Sequence, residues 1–267
     1  MYFSSHLSID ALFTDAYIPP NLRLKWRFIR SKDNFGLIYV KGDGNDATDY
    51  KIEIKDLRLQ IRKVLPRSEV RAKLYRGLQS GQNCYLPYKP TKLKAWTIPE
   101  GVSTYQISSA EFGILPKMAI LAFVEESAFS GNPEKPPFHF GHFNIDHIGF
   151  KKNGVPLFPR PFTPNFVTGD CMREFRNVFD SLGIQLSPQE DIGLTLEHFM
   201  NGTTIFPISL LPENCPMAHR HPVETGSLEI NLAWSAPTTT VLKALLYEIF
   251  YGFIKVDKHL NIITSME

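Results

Sequence analysis

GILPKMAILAFVEESAFSGNPEKPPFHFGHFNIDHIGFKKNGVPLFPRPFTPNF, residues 113–166, is the stretch on which the reading of the fold turns. Residues 117–124 form an apolar run of strand length. Residues 143–150 and 155–158 form two more, separated by Lys151-Lys152-Asn153-Gly154. Asn-Gly between apolar runs is the strongest short hairpin signal, because a type I′ turn needs positive φ at both central residues. The proline-rich segments 130–142 and 156–170 are expected to be long ordered loops.

Outward from this stretch the chain keeps the same character. Residues 6–13 make a short strand candidate. In 22–28, Leu22, Leu24, Trp26 and Phe28 share one face while Arg23, Lys25 and Arg27 share the other, the period of a half-buried strand. Residues 36–40 are a further short strand. From Tyr50 the alternation returns, with Ile52 and Ile54 in phase. It slips by one at Asp56-Leu57, so that Leu57, Leu59 and Ile61 become the apolar set, as at a β-bulge. Strands are also expected over 92–99, 104–112, 203–209 and 227–234. Residues 241–254 are ambiguous, because VLKALLYEIF suits a helix as well as a strand.

Helices are few. Residues 69–79 place Val70, Leu74 and Leu78 on one face. After Asp170, a candidate cap, Met172, Phe175, Phe179 and Leu182 follow at helical spacing until Gly183 stops the helix. A shorter piece covers 192–200. About a dozen short strands with long loops and few helices predict an all-β antiparallel sandwich with one or two short decorating helices. No internal repeat or linker divides residues 1–267, so a single domain is expected.

Composition sets limits. Over 267 residues, 43% are hydrophobic and 21% charged, ordinary for a globular protein, and Phe and Pro each occur 20 times. Net charge is +2, which makes no strong claim on nucleic acid. Three widely spaced cysteines, Cys84, Cys171 and Cys215, do not read as a disulfide framework and favour a reducing compartment. Residues 1–10 lack a signal-peptide pattern, so secretion is not expected. Lys243, Glu248 and Lys255 interrupt the most apolar run, which argues against a membrane span.

Two histidine groups invite a metal reading. His139, His142 and His147 lie near Asp146, but on a strand His147 and Asp146 face opposite ways. Cys215, His219 and His221 offer three ligands in a loop with no evident fourth. Loop and strand-end residues are the simpler account of both, and no metal is assigned. Nucleophile motifs and glycine-rich phosphate loops are missing from the sequence. Glu125 and Glu126 are adjacent, which on a strand is poor geometry for paired acid–base work. Arg23, Lys25 and Arg27, with Arg58, Arg62 and Lys63, form basic stripes that read as solvated strand faces, without the interleaved aromatics of a single-strand binding platform. No catalytic residue, cofactor or small-molecule substrate is assigned.

Taken in order, the segments FSSHLSIDALFTD, LRLKWRFIRSKDNFGLI, KDLRLQIRKVLP, RAKLYRG, residues 115–166, NGTTIFPISLLP and GSLEINLAWSAP resemble the C-terminal half of the major capsid protein of Polinton (Maverick) elements and related double-stranded DNA viruses. The resemblance covers nearly the whole chain and implies one jelly roll of a double jelly-roll protein. It also implies that residues 241–254 form a closing strand. The expected role is structural and non-enzymatic: self-association into trimeric capsomers of an icosahedral shell, with neighbouring capsid or penton proteins as partners and the virion as its place. Otherwise the protein would be intracellular in a host. Neither specific nucleic-acid binding nor membrane insertion is expected. The alternative is a host-retained jelly-roll module that binds protein or glycan without assembling. Loops 130–142 and 156–170 are the expected shell contacts.

Overall fold

A computed structural model describes residues 52–184, 192–210 and 223–266, with short pieces at 5, 18–19, 22, 25–31 and 33–38. The chain forms two compact units, one from residues 1–29, 52–90 and 251–267, the other from 30–51 and 91–250.

Among the described residues the larger unit holds eight strands: β2 (Thr91–Ile98), β3 (Thr104–Ile114), β4 (Met118–Glu125), β5 (Ile145–Lys152), β6 (Val155–Pro156), β7 (Ile205–Ser209), β8 (Thr225–Trp234) and β9 (Leu242–Ile249). They make two four-stranded antiparallel sheets, ordered β2-β9-β4-β7 and β3-β8-β5-β6. Each sheet interleaves early and late strands, so that, apart from the β5–β6 hairpin, neighbours in space are distant in sequence. Lettering the eight strands B to I in chain order gives sheets BIDG and CHEF, the strand order of a jelly roll. The expected fold class is therefore present, and residues 242–249 are a strand. β9 is paired on both sides, with Leu246 opposite Lys94 of β2 and Leu121 of β4. That two-sided pairing settles an ambiguity that propensity leaves open.

Local chemistry explains the hairpin. Asn153 and Gly154 both have positive φ, 53° and 78°, and Lys152 pairs with Val155. Asn153 Oδ1 also accepts the Ser227 N–H at 2.8 Å, tying the turn to β8. The core lies between the sheets. Phe123 meets Phe206 and Trp234 edge-on, with ring centroids 6.4 and 6.2 Å apart. Ile148, Phe150, Leu228, Ile230 and Leu246 fill the space around them. Helix α2 is a single turn (Glu126–Phe129), α3 spans Met172–Leu182 and α4 spans Leu196–Met200. Cys171, not Asp170, is the N-cap residue of α3, and no side chain caps it. Asp170 instead bridges to Asn165 through its carbonyl. Gly183 ends α3 at φ 69°, as expected of a left-handed C-terminal residue.

Among the described residues the smaller unit holds helix α1 (Ser68–Gln79) and three antiparallel strands, β1 (Cys84–Tyr88), β10 (Gly252–Val256) and β11 (Ile262–Met266), in the order β1-β10-β11. Gly252 sits opposite Met266, and a Cβ there would lie 2.4 Å from the Ser265 carbonyl oxygen, so glycine is required by close approach.

Three sequence expectations are corrected. Residues 25–31 are irregular, and Phe28 is 53% exposed. Asp33–Gly36 is a 3₁₀ turn, and no strand covers residues 37–38. Residues 52–67 are irregular too, and Leu57, Leu59, Ile61 and Leu65 are exposed. A period-two pattern makes a strand only where another strand supplies hydrogen-bond partners, and no described strand does so here. The bulge expected at Asp56-Leu57 is thus not formed, whereas β3 shifts register between Ile107 and Glu111. The candidate strand 6–13, Leu24, Val40 and the Cys215–His219–His221 group lie outside the described residues.

Candidate functional site: edges, loops and an inter-sheet charge cluster

The structure separates most of the residues that sequence suggested for chemistry. His142 stacks on Phe166, ring centroids 4.2 Å apart and 12° from parallel. Its Nδ1 accepts the Asn144 N–H at 2.9 Å, and burial pushes its pKa below the ordinary histidine value. A ring nitrogen that accepts a main-chain bond carries no proton there, so this histidine is neutral and structural. His139 packs at Gly202, where a Cβ would lie 2.4 Å from its Nδ1, and His147 lies near Gly149. Among the described residues, no three His, Cys, Asp or Glu side chains converge as a metal site. Glu125 and Glu126 take separate lysines: Lys135 pairs with Glu125, and Lys243 lies 2.9 Å from Glu126. Of the basic stripes, Arg58 pairs with Asp56 at 2.8 Å, both exposed, while Lys25, Arg27, Arg62 and Lys63 are exposed.

What the fold does build is a pair of differently finished flanks. Strands β7 and β6 are the edges on one side, β2 and β3 on the other. Unpaired edges invite association, so how each is covered matters. On the β6/β7 side α3 is the cover. Asn177 Nδ2 and Ser181 Oγ donate to the Pro207 carbonyl of β7 at 2.6 and 3.1 Å. From the first turn of the same helix, Arg173 donates to the Pro161 and Arg160 carbonyls, each at 2.8 Å. Buried Glu174 accepts the Thr163 N–H at 3.1 Å. That segment carries Phe162, which exchanges main-chain bonds of 2.9 Å with Ile148 of β5 and buries its ring against Phe150 and Phe158. The loop expected to face neighbours therefore turns Phe162 and Phe166 inward, and leaves Val167 at 85% exposure. In the other long loop, Phe138 is 71% exposed.

On the β2/β3 side the sheets meet through charge. Lys94 of β2 pairs with Glu111 of β3, lies 3.5 Å from Glu248 of β9, and donates to the Ala110 carbonyl at 2.7 Å. The Glu248 side chain is fully buried. Burial, then the hydrogen bond and negative charge of Glu111, push its pKa up to about 8. Burial would raise Glu111 as well, but hydrogen bonds with Lys94 and Glu248 and the charges of Lys94 and Lys92 outweigh it and hold it below the ordinary value. This cluster escaped the reading of the sequence, although a signal was there. Lys94 is in phase with core-facing Trp96 and Ile98, and Glu248 with Leu242, Ala244 and Leu246. Charges on the apolar phase of a strand must find partners inside.

Among the described residues no helix is long and apolar enough to cross a membrane. No protein-family model matches the chain, and no curated protein does. Solved structures do. The mavirus major capsid protein is 7% identical, over 69% of this chain and 41% of that one, with a TM-score of 0.41. The PBCV-1 virus capsid is 11% identical, over 69% and 51%, with a TM-score of 0.35. PBCV-1 VP54, fitted into a reconstruction of the virophage Sputnik, is 10% identical, over 74% and 54%, with a TM-score of 0.38. The chain thus spans about half the length of the solved chains it matches.

Proposed function

We propose that this chain is a structural capsid protein: residues 1–267 act as the C-terminal jelly roll of a double jelly-roll protein of the Polinton type, without enzymatic activity. The observation that carries this reading is the pairing of sequence resemblance with strand order. Residues 115–166, where the resemblance is densest, supply β4, β5 and β6, and the strands around them complete the two jelly-roll sheets. A fold of this kind hosts several functions, so the sequence segments decide among them. In this role the protein self-associates into trimeric capsomers and meets neighbouring capsid or penton proteins in a virion. Shell contacts of that sort bury large, specific areas. Phe138 and Val167, exposed in the long loops, are suited to them.

Sedimentation of the purified full chain across a wide concentration range tests the reading. Mass-action growth to a trimer, with triangular or hexagonal particles by electron microscopy, is the expected result. A monomer at every concentration overturns capsomer formation by this chain.

A further inference from the structure

The charge cluster on the β2/β3 side has one feature that packing alone does not account for. Glu248 projects into the core face of β9, and neither of its oxygens accepts a hydrogen bond of normal geometry from an N–H or hydroxyl donor, which leaves the Glu111 carboxyl as its hydrogen-bonding neighbour. One ammonium, Lys94, serves two carboxyls from facing sheets. Lys92, opposite Glu248 in register, lies over the Phe250 ring at 4.6 Å and adds positive charge toward Glu111. On the other side of β9, β4 places Ala119 opposite Glu248, and buried Lys117 precedes that strand. In the facing sheet β8 turns Leu228 and Ile230 inward, while Glu229 pairs in register with Lys151. Two carboxylates beside one contacting lysine in a dry site cannot both ionise without cost, so one must keep a proton.

The cluster also holds main chain. Lys94 takes the Ala110 carbonyl, and Glu111 Oε1 accepts the Phe112 N–H at 3.3 Å. Both groups sit at the bulge of β3, an edge strand. We propose that Lys94, Glu111 and Glu248 act as a proton-dependent latch between the two sheets, closed while Glu248 keeps its proton and opened when that proton passes to solvent, so that the β3 edge is held or released with pH. Opening restores water to Glu248 and frees two main-chain groups for pairing.

Hydrogen exchange on the full chain, corrected for the intrinsic rate, tests the latch. Opening that releases one proton becomes about tenfold more favourable per pH unit while the closed form alone is protonated. Wild-type peptides covering 108–114 and 244–250 are expected to lose at least about tenfold in protection between about pH 6 and pH 8. Peptides across α3 keep theirs, and Glu248→Gln abolishes the change. A flat wild-type profile, or the same loss in Glu248→Gln, overturns the latch. If Glu248→Gln does not fold, the Glu248 carboxyl carbon is followed by NMR in the wild type. A midpoint above about pH 6.5 supports the latch, and one below it overturns it.

Discussion

On one flank of the sandwich helix α3 binds β7 of one sheet and the segment bridged to β5 of the other; on the opposite flank one lysine and two glutamates link the sheets. The helix works mainly through main-chain carbonyls. Asn177, Ser181 and Arg173 donate to carbonyl oxygens of β7 and of the segment beside β5, and Glu174 accepts from Thr163. These bonds bury a strand edge and an aromatic plug together. The Lys94–Glu111–Glu248 cluster joins sheets without covering an edge, and β3 leaves Phe112 at 80% exposure. One flank is finished by burial and by hydrogen bonds to main-chain groups. The other depends on where a proton sits.

The largest expected effect is on the covered flank. Phe162 is 2% exposed and touches Phe150, Phe158 and the Arg173 guanidinium. Phe162→Ala removes the plug and leaves a cavity that α3 and β5 cannot both close, at a cost of about 3–5 kcal/mol. Urea unfolding midpoints measure it. A cost below about 1 kcal/mol would mean that the segment is a surface strap and that α3 alone finishes this flank.

Next in size is the difference in pH response. The folded value of Glu248 lies above the ordinary 4.5, at about 8, so the folded state binds the proton more tightly. Its stabilising contribution is complete below pH 4.5 and is lost as pH rises toward 8. Glu111 runs the other way: its value is lowered, so its contribution is lost only as pH falls through its folded value, below 4.5. Between about pH 5 and pH 8, Glu248→Gln is therefore expected to gain on the order of 1–3 kcal/mol relative to wild type. Asn177→Ala, which removes a neutral donor from the Pro207 carbonyl, costs about 1 kcal/mol at both pH values. Parallel unfolding series at the two pH values make the comparison. Equal pH slopes for wild type and Glu248→Gln would erase the distinction between the flanks.

The same contrast explains what was legible in the sequence. The Asn153-Gly154 turn could be read because its cause is local: two residues that tolerate positive φ, flanked by apolar runs. The covered flank was half legible. The spacing of Phe175, Phe179 and Leu182 announced a helix, but nothing local could show that Arg173 and Glu174 reach back to residues 160–163. Asp170 read as a cap because its type suits the position, yet the helix begins after Cys171. Residues 25–28 and 52–61 show the opposite failure. Their alternation is real, but pairing is a property of two segments, and one cannot announce the other. The Lys94–Glu248 cluster was legible only as a violation, a lysine and a glutamate in phase with tryptophan, isoleucine and leucine.

The smallest expected effect sharpens the comparison most. Phe112 lies on the β3 edge strand next to Glu111, and its side chain touches little of its own chain at 80% exposure. Phe112→Ala should change folding stability by no more than about 0.5 kcal/mol, as surface substitutions generally do. Its N–H, however, is the one that Glu111 holds. If the open edge serves only as solvent-facing surface, the variant behaves as wild type in every respect. If the edge meets another strand when the chain self-associates, removing an exposed ring beside the contact weakens association while folding stays unchanged. Unfolding and sedimentation of the same variant separate the two. A loss of more than about 1 kcal/mol in folding would contradict both, because it would place Phe112 inside a core that the β2/β3 flank does not have.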